Sequence, residues 1–249
     1  MKAHIYCWVF LIACSTLLPA QKDSAKQSDI DPLALKVLKT VTDPIEHAKA
    51  YSFRAIVSRE TLGSNGQIIT LFHVTEATVA KPDKLRLNIL GVGKEVQLFY
   101  NAGHATLFTP ETKFFTTISS PTTLDATLDS LEKKNIFIPI RNFLSSNPYK
   151  SLSDSLRSAY VVGRVQLADQ EVHQLAFTEP DAEWQIWVIG GDKPQIVRLE
   201  VVDKSKPYNP RTIVQFLDWN LSPQINSSTF TFNKPADAKY IELMTATEK

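Results

Sequence analysis

The sequence predicts a mainly β (α+β) protein: a long antiparallel meander entered through one helix and interrupted by a helical insertion. Three observations carry this prediction. From Ser52 onward apolar residues recur with a period of two, and the runs are separated by turn residues. Helical spacing is confined to two stretches, one after Asp31 and one within 122–157. With 43% apolar and 21% charged residues in 249, the chain is too apolar for disorder and long enough for one large core.

The elements follow in chain order. Met1-Lys2-Ala3-His4 precedes an apolar run, Ile5 to Leu18, that ends at Leu18-Pro19-Ala20. A basic start, an apolar centre and a small exit residue describe a secretory signal peptide over 1–20. The run is shorter than the ~20 residues that span a bilayer. Leu11-Ile12-Ala13-Cys14 also resembles a bacterial lipobox, so a lipoprotein signal over 1–13 with acylated Cys14 is the alternative. Residues 21–30 are polar and read as a tether, and 31–249 as a single domain.

Asp31-Pro32 is a helix start, with the carboxylate as N-cap and proline in the first turn. Leu35, Leu38, Val41 and Ile45 then recur at helical spacing to about Ala50, and Pro44 is expected to kink or interrupt the helix. In the meander, Leu85, Leu87 and Ile89 alternate with Lys84, Arg86 and Asn88, and Val96, Leu98 and Tyr100 alternate with Glu95, Gln97 and Phe99. Turns are expected at Gly63-Ser64-Asn65-Gly66, Lys81-Pro82-Asp83, Gly91-Val92-Gly93 and Asn101-Ala102-Gly103. Segment 122–157 is too short for its own core; it carries Leu124, Leu128 and Leu131 at helical spacing and a second helical piece, Pro139–Leu144. Strands resume at Tyr160–Leu167, Glu171–Phe177, Trp184–Ile189, Ile196–Val202, Arg211–Trp219 and Thr229–Asn233.

Several function classes are disfavoured. The chain has 27 basic and 26 acidic residues; only Lys2 falls in the first 20, so the remainder is neutral and shows no electrostatic footprint for nucleic acid. Both cysteines, Cys7 and Cys14, lie in the leader, which leaves no internal disulfide, Cys-ligated zinc or Cys nucleophile beyond it. His4, His47, His73, His104 and His173 make no helix-borne zinc pair, and no Gly-x-Ser-x-Gly elbow occurs. Gly91-Val92-Gly93-Lys94 lacks P-loop spacing and reads as a hairpin turn. No catalytic constellation, metal site or cofactor motif emerges.

Several strands are apolar on more than one face: Phe99 opposes Val96 and Leu98, Phe108 opposes Leu107, Phe115 opposes Phe114, and Trp187 opposes Trp184 and Ile186. Both faces of the sheet are therefore expected to be covered. The cover is either helices on one side and a neighbour on the other, or helices sharing a concave face with an apolar ligand.

Particular segments resemble the outer-membrane lipoprotein carrier LolA and its relatives. Val79-Ala80-Lys81-Pro82-Asp83-Lys84-Leu85-Arg86 is similar to that family's basic-Pro segment, Tyr100 to Phe108 to its Asp-Gly-Lys hairpin, and Thr229 to Pro235 to its closing Phe-x-Phe strand. Phe177-Thr178-Glu179-Pro180-Asp181-Ala182-Glu183-Trp184-Gln185-Ile186-Trp187, Asn147-Pro148-Tyr149 and Leu217-Asp218-Trp219 most resemble a family of predicted periplasmic proteins of unknown function, over residues 33–242.

The resemblance implies a half-open antiparallel β-barrel of about eleven strands, with an N-terminal helix and insertion 122–157 as a lid over an apolar cavity. It implies a non-enzymatic periplasmic protein, soluble or anchored through Cys14, whose expected partner is a lipid or other hydrophobic ligand, with an envelope protein as a further candidate. On this reading Phe99, Phe108, Phe115, Trp187 and Trp219, with lid residues Leu128, Phe137 and Phe143, line the cavity. Lys81 stands where the carriers' arginine latches the lid; lysine brings the charge without the planar five-donor fork. The alternative is an envelope-sensing or protein-interaction module with a filled core and no ligand.

Overall fold

The computed structural model describes residues 29–243, apart from 135, 137, 139 and 168. The leader with Cys14, the tether up to residue 28, and Phe137 lie outside the described residues.

The entry helix α1 spans Pro32–His47 and is capped as expected: the Asp31 carboxylate accepts from the Leu33 N–H at 2.8 Å. Its buried stripe is Ala34, Leu38, Val41 and Ile45. Pro44 does not break it. The helix continues to His47, and the Pro44 carbonyl accepts the Ala48 N–H at 3.1 Å as the chain turns extended, so the end falls before Ala50.

Six strands follow: β1 (Ala50–Leu62), β2 (Ile68–Ala80), β3 (Lys84–Gly91), β4 (Lys94–Asn101), β5 (His104–Thr109) and β6 (Phe114–Ser119). The insertion holds α2 (Leu124–Lys133), α3 (Arg141–Leu144) and α4 (Pro148–Ser153). The meander resumes as β7 (Ser158–Leu167), β8 (Gln170–Thr178), β9 (Ala182–Ile189), β10 (Gln195–Asp203) and β11 (Arg211–Asn220), and a two-residue β12 (Lys239–Tyr240) adds in parallel to β6.

All twelve strands form one open sheet in the order β12-β6-β5-β4-β3-β2-β1-β11-β10-β9-β8-β7. Every neighbour is a sequential hairpin partner except at β1–β11, which joins the two meander halves, and at the parallel β12. Strands β3, β4 and β7–β11 fall where the alternation placed them, and the eleven long strands match the number that the resemblance implied; the sheet curls but does not close.

One expected strand is corrected. Ser227–Phe230 forms a short 3-10 turn capped by Asn226, and the chain beyond it crosses the outer face of β3 and β4 without pairing. Its alternating phenylalanines serve packing: Phe230 is buried, and the Phe232 ring lies 5.2–5.4 Å from those of Phe99, Phe108 and Phe115. Period two records which side chains point at an apolar surface, and a strap laid on a sheet shows it as readily as a strand within one.

The main core lies on the inner face. Alternate residues of β1 (Phe53, Ala55, Val57) and their counterparts on β3, β9 and β11 meet α1 and the insertion there. The outer face of β3–β6 carries the separate aromatic group closed by the C-terminal strap.

Candidate functional site

The insertion sits in the curl of the sheet, and its apolar side is consumed in doing so. Leu124, Leu128 and Leu131 of α2, with Phe143 and Leu144 of α3, are buried in the inner core. Phe143 meets Phe216 of β11 edge-on, with ring centroids 4.9 Å apart.

Polar side chains rising from the sheet hold the insertion down. Tyr51, fully buried on β1, donates its hydroxyl to the Phe143 carbonyl at 2.7 Å. Burial raises its pKa well above that of an ordinary tyrosine, so the phenol stays a donor. Tyr100 on β4 donates to the Pro121 carbonyl at 2.9 Å, which also accepts from Thr127.

Lys81, in the turn after β2, reaches α1 and the insertion together. Its Nζ donates to the carbonyls of Ile45 at 2.8 Å and Glu46 at 2.6 Å, and lies 3.4 Å from the Ser146 carbonyl. The first two are orphan carbonyls at the negative end of a helix, where a cation is favoured. Burial holds the Lys81 ammonium below the ordinary lysine value, with Glu46 and Asp125 pulling it back up. Asp125 closes the cluster by accepting from the backbone N–H of Ser146 at 2.8 Å and from its hydroxyl.

Among the described residues, hollows lie at both ends of β10 and β11 on the inner side. The larger, about 500 Å³, lies between the end of α1 and the β9–β10 turn; Val41, Pro44, Ile45, Ile196 and Trp219 form its apolar wall, and Asp192, Lys193 and Gln195 lie at its polar lip. Trp219 is held by its indole N–H, which donates to the Ile196 carbonyl at 2.9 Å, by stacking on the Phe216 ring and by tilted contact with Phe53. The smaller, about 320 Å³, lies at the other end of β10 and β11 among Ile138, Phe143, Leu199, Val201 and Val214, with Arg59 and Arg141 at its edge. Arg141 is engaged by Asp129 and Glu132.

The sequence-derived candidates thus separate into three groups. Trp219 and Phe143 border the two hollows, while Leu128 is on the buried side of the insertion itself, within the core. Phe99, Phe108 and Phe115 lie on the outer face under the C-terminal strap, where Arg86 also stacks on Phe99 at 3.7 Å. Trp187 also points outward, against Arg198. Lys81 lies between α1 and the insertion. Tyr51 was not singled out by sequence, although a tyrosine at an inward position of an alternating strand signals a buried hydroxyl in need of a partner.

Among the described residues no group of three or more His, Cys, Asp or Glu side chains is placed to hold a metal ion, and no helix is long and apolar enough to cross a membrane. The hollows offer apolar walls with polar lips, a chemistry of binding.

An open antiparallel sheet curled round a helical insertion, with a leading helix at its side, is a half-barrel. Within that class the chain belongs to the family described as "Predicted periplasmic protein (DUF2092)", whose model matches residues 34–244, so this is a periplasmic protein. No curated protein matches. Among solved structures, the chain is similar to an uncharacterised conserved protein from Thermus thermophilus, at 8% identity and a TM-score of 0.47 over 84% of this chain and 98% of that one. It is also similar to the lipoprotein LppX of Mycobacterium tuberculosis, at 9% identity and a TM-score of 0.46 over 79% and 100% of the two chains. A LolA superfamily protein from Nitrosomonas europaea matches at 9% identity and a TM-score of 0.36, over 80% and 98%.

Proposed function

We propose that this protein is a non-enzymatic binder of an apolar ligand, an acyl chain or a molecule of similar slenderness, held on the inner side of the half-barrel. The observation that carries the reading is the hollow of about 500 Å³ walled by Val41, Pro44, Ile45, Ile196 and Trp219. Its size falls within the range of small-molecule sites, roughly 300–1,000 Å³, and its composition matches theirs: apolar walls with a few polar groups at the opening. Each methylene moved from water into such a site contributes about 0.8 kcal/mol, so about ten of them supply roughly 8 kcal/mol before ordering costs.

The hollow at the other end of β10 and β11 extends the same inner surface, and Phe143 stands between it and the buried centre. A ligand in either place needs no rearrangement of Leu128 or Phe143, which fill the middle.

The test is titration of delipidated protein with a fluorescent fatty acid. Saturable binding, displaced by unlabelled fatty acid and accompanied by a change in Trp219 emission, is expected. Leu221 is exposed and borders the larger hollow, so Leu221→Asp leaves the core intact and weakens binding about tenfold by placing a carboxylate against hydrocarbon. Folded protein that binds nothing saturably, and carries no apolar adduct in native mass spectrometry, belongs instead to the filled-core interaction modules.

A further inference from the structure

The β1–β2 hairpin outruns the sheet. Pairing of β1 with β11 ends at Arg59–Thr212, and pairing of β2 with β3 begins only at His73–Gly91. Beyond those points residues 60–62 and 68–70 form a two-stranded ribbon through Glu60–Thr70, Thr61–Ile69 and Leu62–Ile68, and Leu71 and Phe72, paired with Arg59 and Ser58, overhang β3 on the other side. At about 3.3 Å per residue, the five residues of β2 project roughly 16 Å past the end of β3.

The ribbon is apolar where water would demand otherwise. Leu62, Ile68 and Phe72 are exposed on its outer face, Ile69 and Leu71 on the inner, and Phe72 leaves 59% of its surface open. Leu90 and Val92, the latter 78% exposed at the neighbouring β3–β4 turn, extend the outer patch. From Thr61 to Phe72 no side chain is charged. The turn at its tip satisfies its own backbone: Gly63 N–H donates to the Gln67 carbonyl at 2.8 Å, Gly66 N–H to the Gly63 carbonyl at 2.9 Å, and Gln67 N–H to the Asn65 side chain at 3.1 Å. Removing this turn from water therefore orphans few donors.

Charges of both signs stand at the base: Arg59 faces Leu71 across the ribbon, the Glu60 carboxylate accepts the Arg211 N–H, and Lys94 and Glu95 open β4. An apolar projection with its charges confined to the base is the pattern of an element seated at the headgroup–acyl boundary of a bilayer. A flat protein partner would cover one face of the ribbon and leave the other wet; the boundary region, about as deep as the ribbon is thick, wets both with hydrocarbon.

We propose that the overhanging β1–β2 ribbon, with Leu90 and Val92 beside it, is a membrane-contact element that seats the protein on a lipid bilayer surface. This does not depend on the inner-side ligand.

The test is flotation of the purified protein with vesicles of phosphatidylethanolamine and phosphatidylglycerol, and with vesicles of phosphatidylcholine alone. An environment-sensitive fluorophore at Asn65→Cys reports the tip itself, so that anchoring through an acylated N-terminus is not mistaken for ribbon contact. The expected result is a blue shift of the tip probe with both kinds of vesicle, and partitioning reduced at least about tenfold by Phe72→Asp. Ile68→Asp repeats the test at a second exposed position, and unchanged melting and fatty-acid binding in both variants show that fold and inner site are intact. The proposal is overturned by an unshifted tip probe with either vesicle, by variants that partition like wild type, or by a concentration-dependent dimer that Phe72→Asp dissolves without any vesicle contact.

Discussion

Tyr51→Phe isolates one bond that fastens the insertion to the sheet. The substitution keeps the ring and removes only the hydroxyl that donates to the Phe143 carbonyl at 2.7 Å, between two fully buried residues. A neutral hydrogen bond contributes about 1 kcal/mol net, and the orphaned buried carbonyl raises the cost to roughly 1–3 kcal/mol. That range corresponds to a roughly 5- to 150-fold change in an equilibrium constant. If the insertion opens as a local unit, the cost appears as faster amide hydrogen exchange at Arg141, Phe143 and Ser146, whose N–H groups are bonded to Ile138, Ile140 and Asp125. Exchange at β8 and β9 amides is expected to stay at the wild-type rate. Equal acceleration in both regions would show that the insertion melts only with the whole sheet, and the lid reading would then be wrong. No acceleration anywhere would show that the bond contributes nothing.

Other outcomes follow from neighbouring features. Lys81→Ala removes the donor to the Ile45 and Glu46 carbonyls; because water can rehydrate this half-buried helix end, a loss of only about 1 kcal/mol is expected, read as a smaller rise in the same exchange rates than Tyr51→Phe produces. His73 is held below the ordinary histidine value by burial, with Arg59 acting in the same direction. The unfolded chain then binds the proton more readily, so stability is expected to fall as pH drops from about 6.5 towards the lowered folded value, and to level off below it. His73→Gln should flatten that slope in thermal melts; an unchanged slope would assign the pH response to other groups. Finally, the intact mass of protein purified from the envelope is expected to match a chain starting at Gln21 or at acylated Cys14, and an intact Met1 start would contradict export.

Local periodicity was enough to place β3, β4 and β7–β11, α1 with its Asp31 cap and the helical texture of 122–157, because each depends on neighbours in sequence. Which surface an apolar side chain serves does not. The surplus of aromatics on β4, β5 and β6 correctly showed that both faces are covered, but the sequence held no sign that Phe232, more than a hundred residues on, covers Phe99, Phe108 and Phe115 from outside. The same ambiguity let Thr229–Asn233 read as a strand when it is a strap. Lys81 was singled out by the resemblance of its segment to the carriers' basic-Pro segment, yet its partners Ile45, Glu46 and Ser146 come from two other elements. The ribbon at 60–72 was legible as a hairpin, but not as an overhang, since that depends on where β11 and β3 stop. Local chemistry determined the elements of this protein; the faces, hollows and projections on which its function depends arise where strands distant in sequence begin and end against one another, and only the tertiary structure decided those.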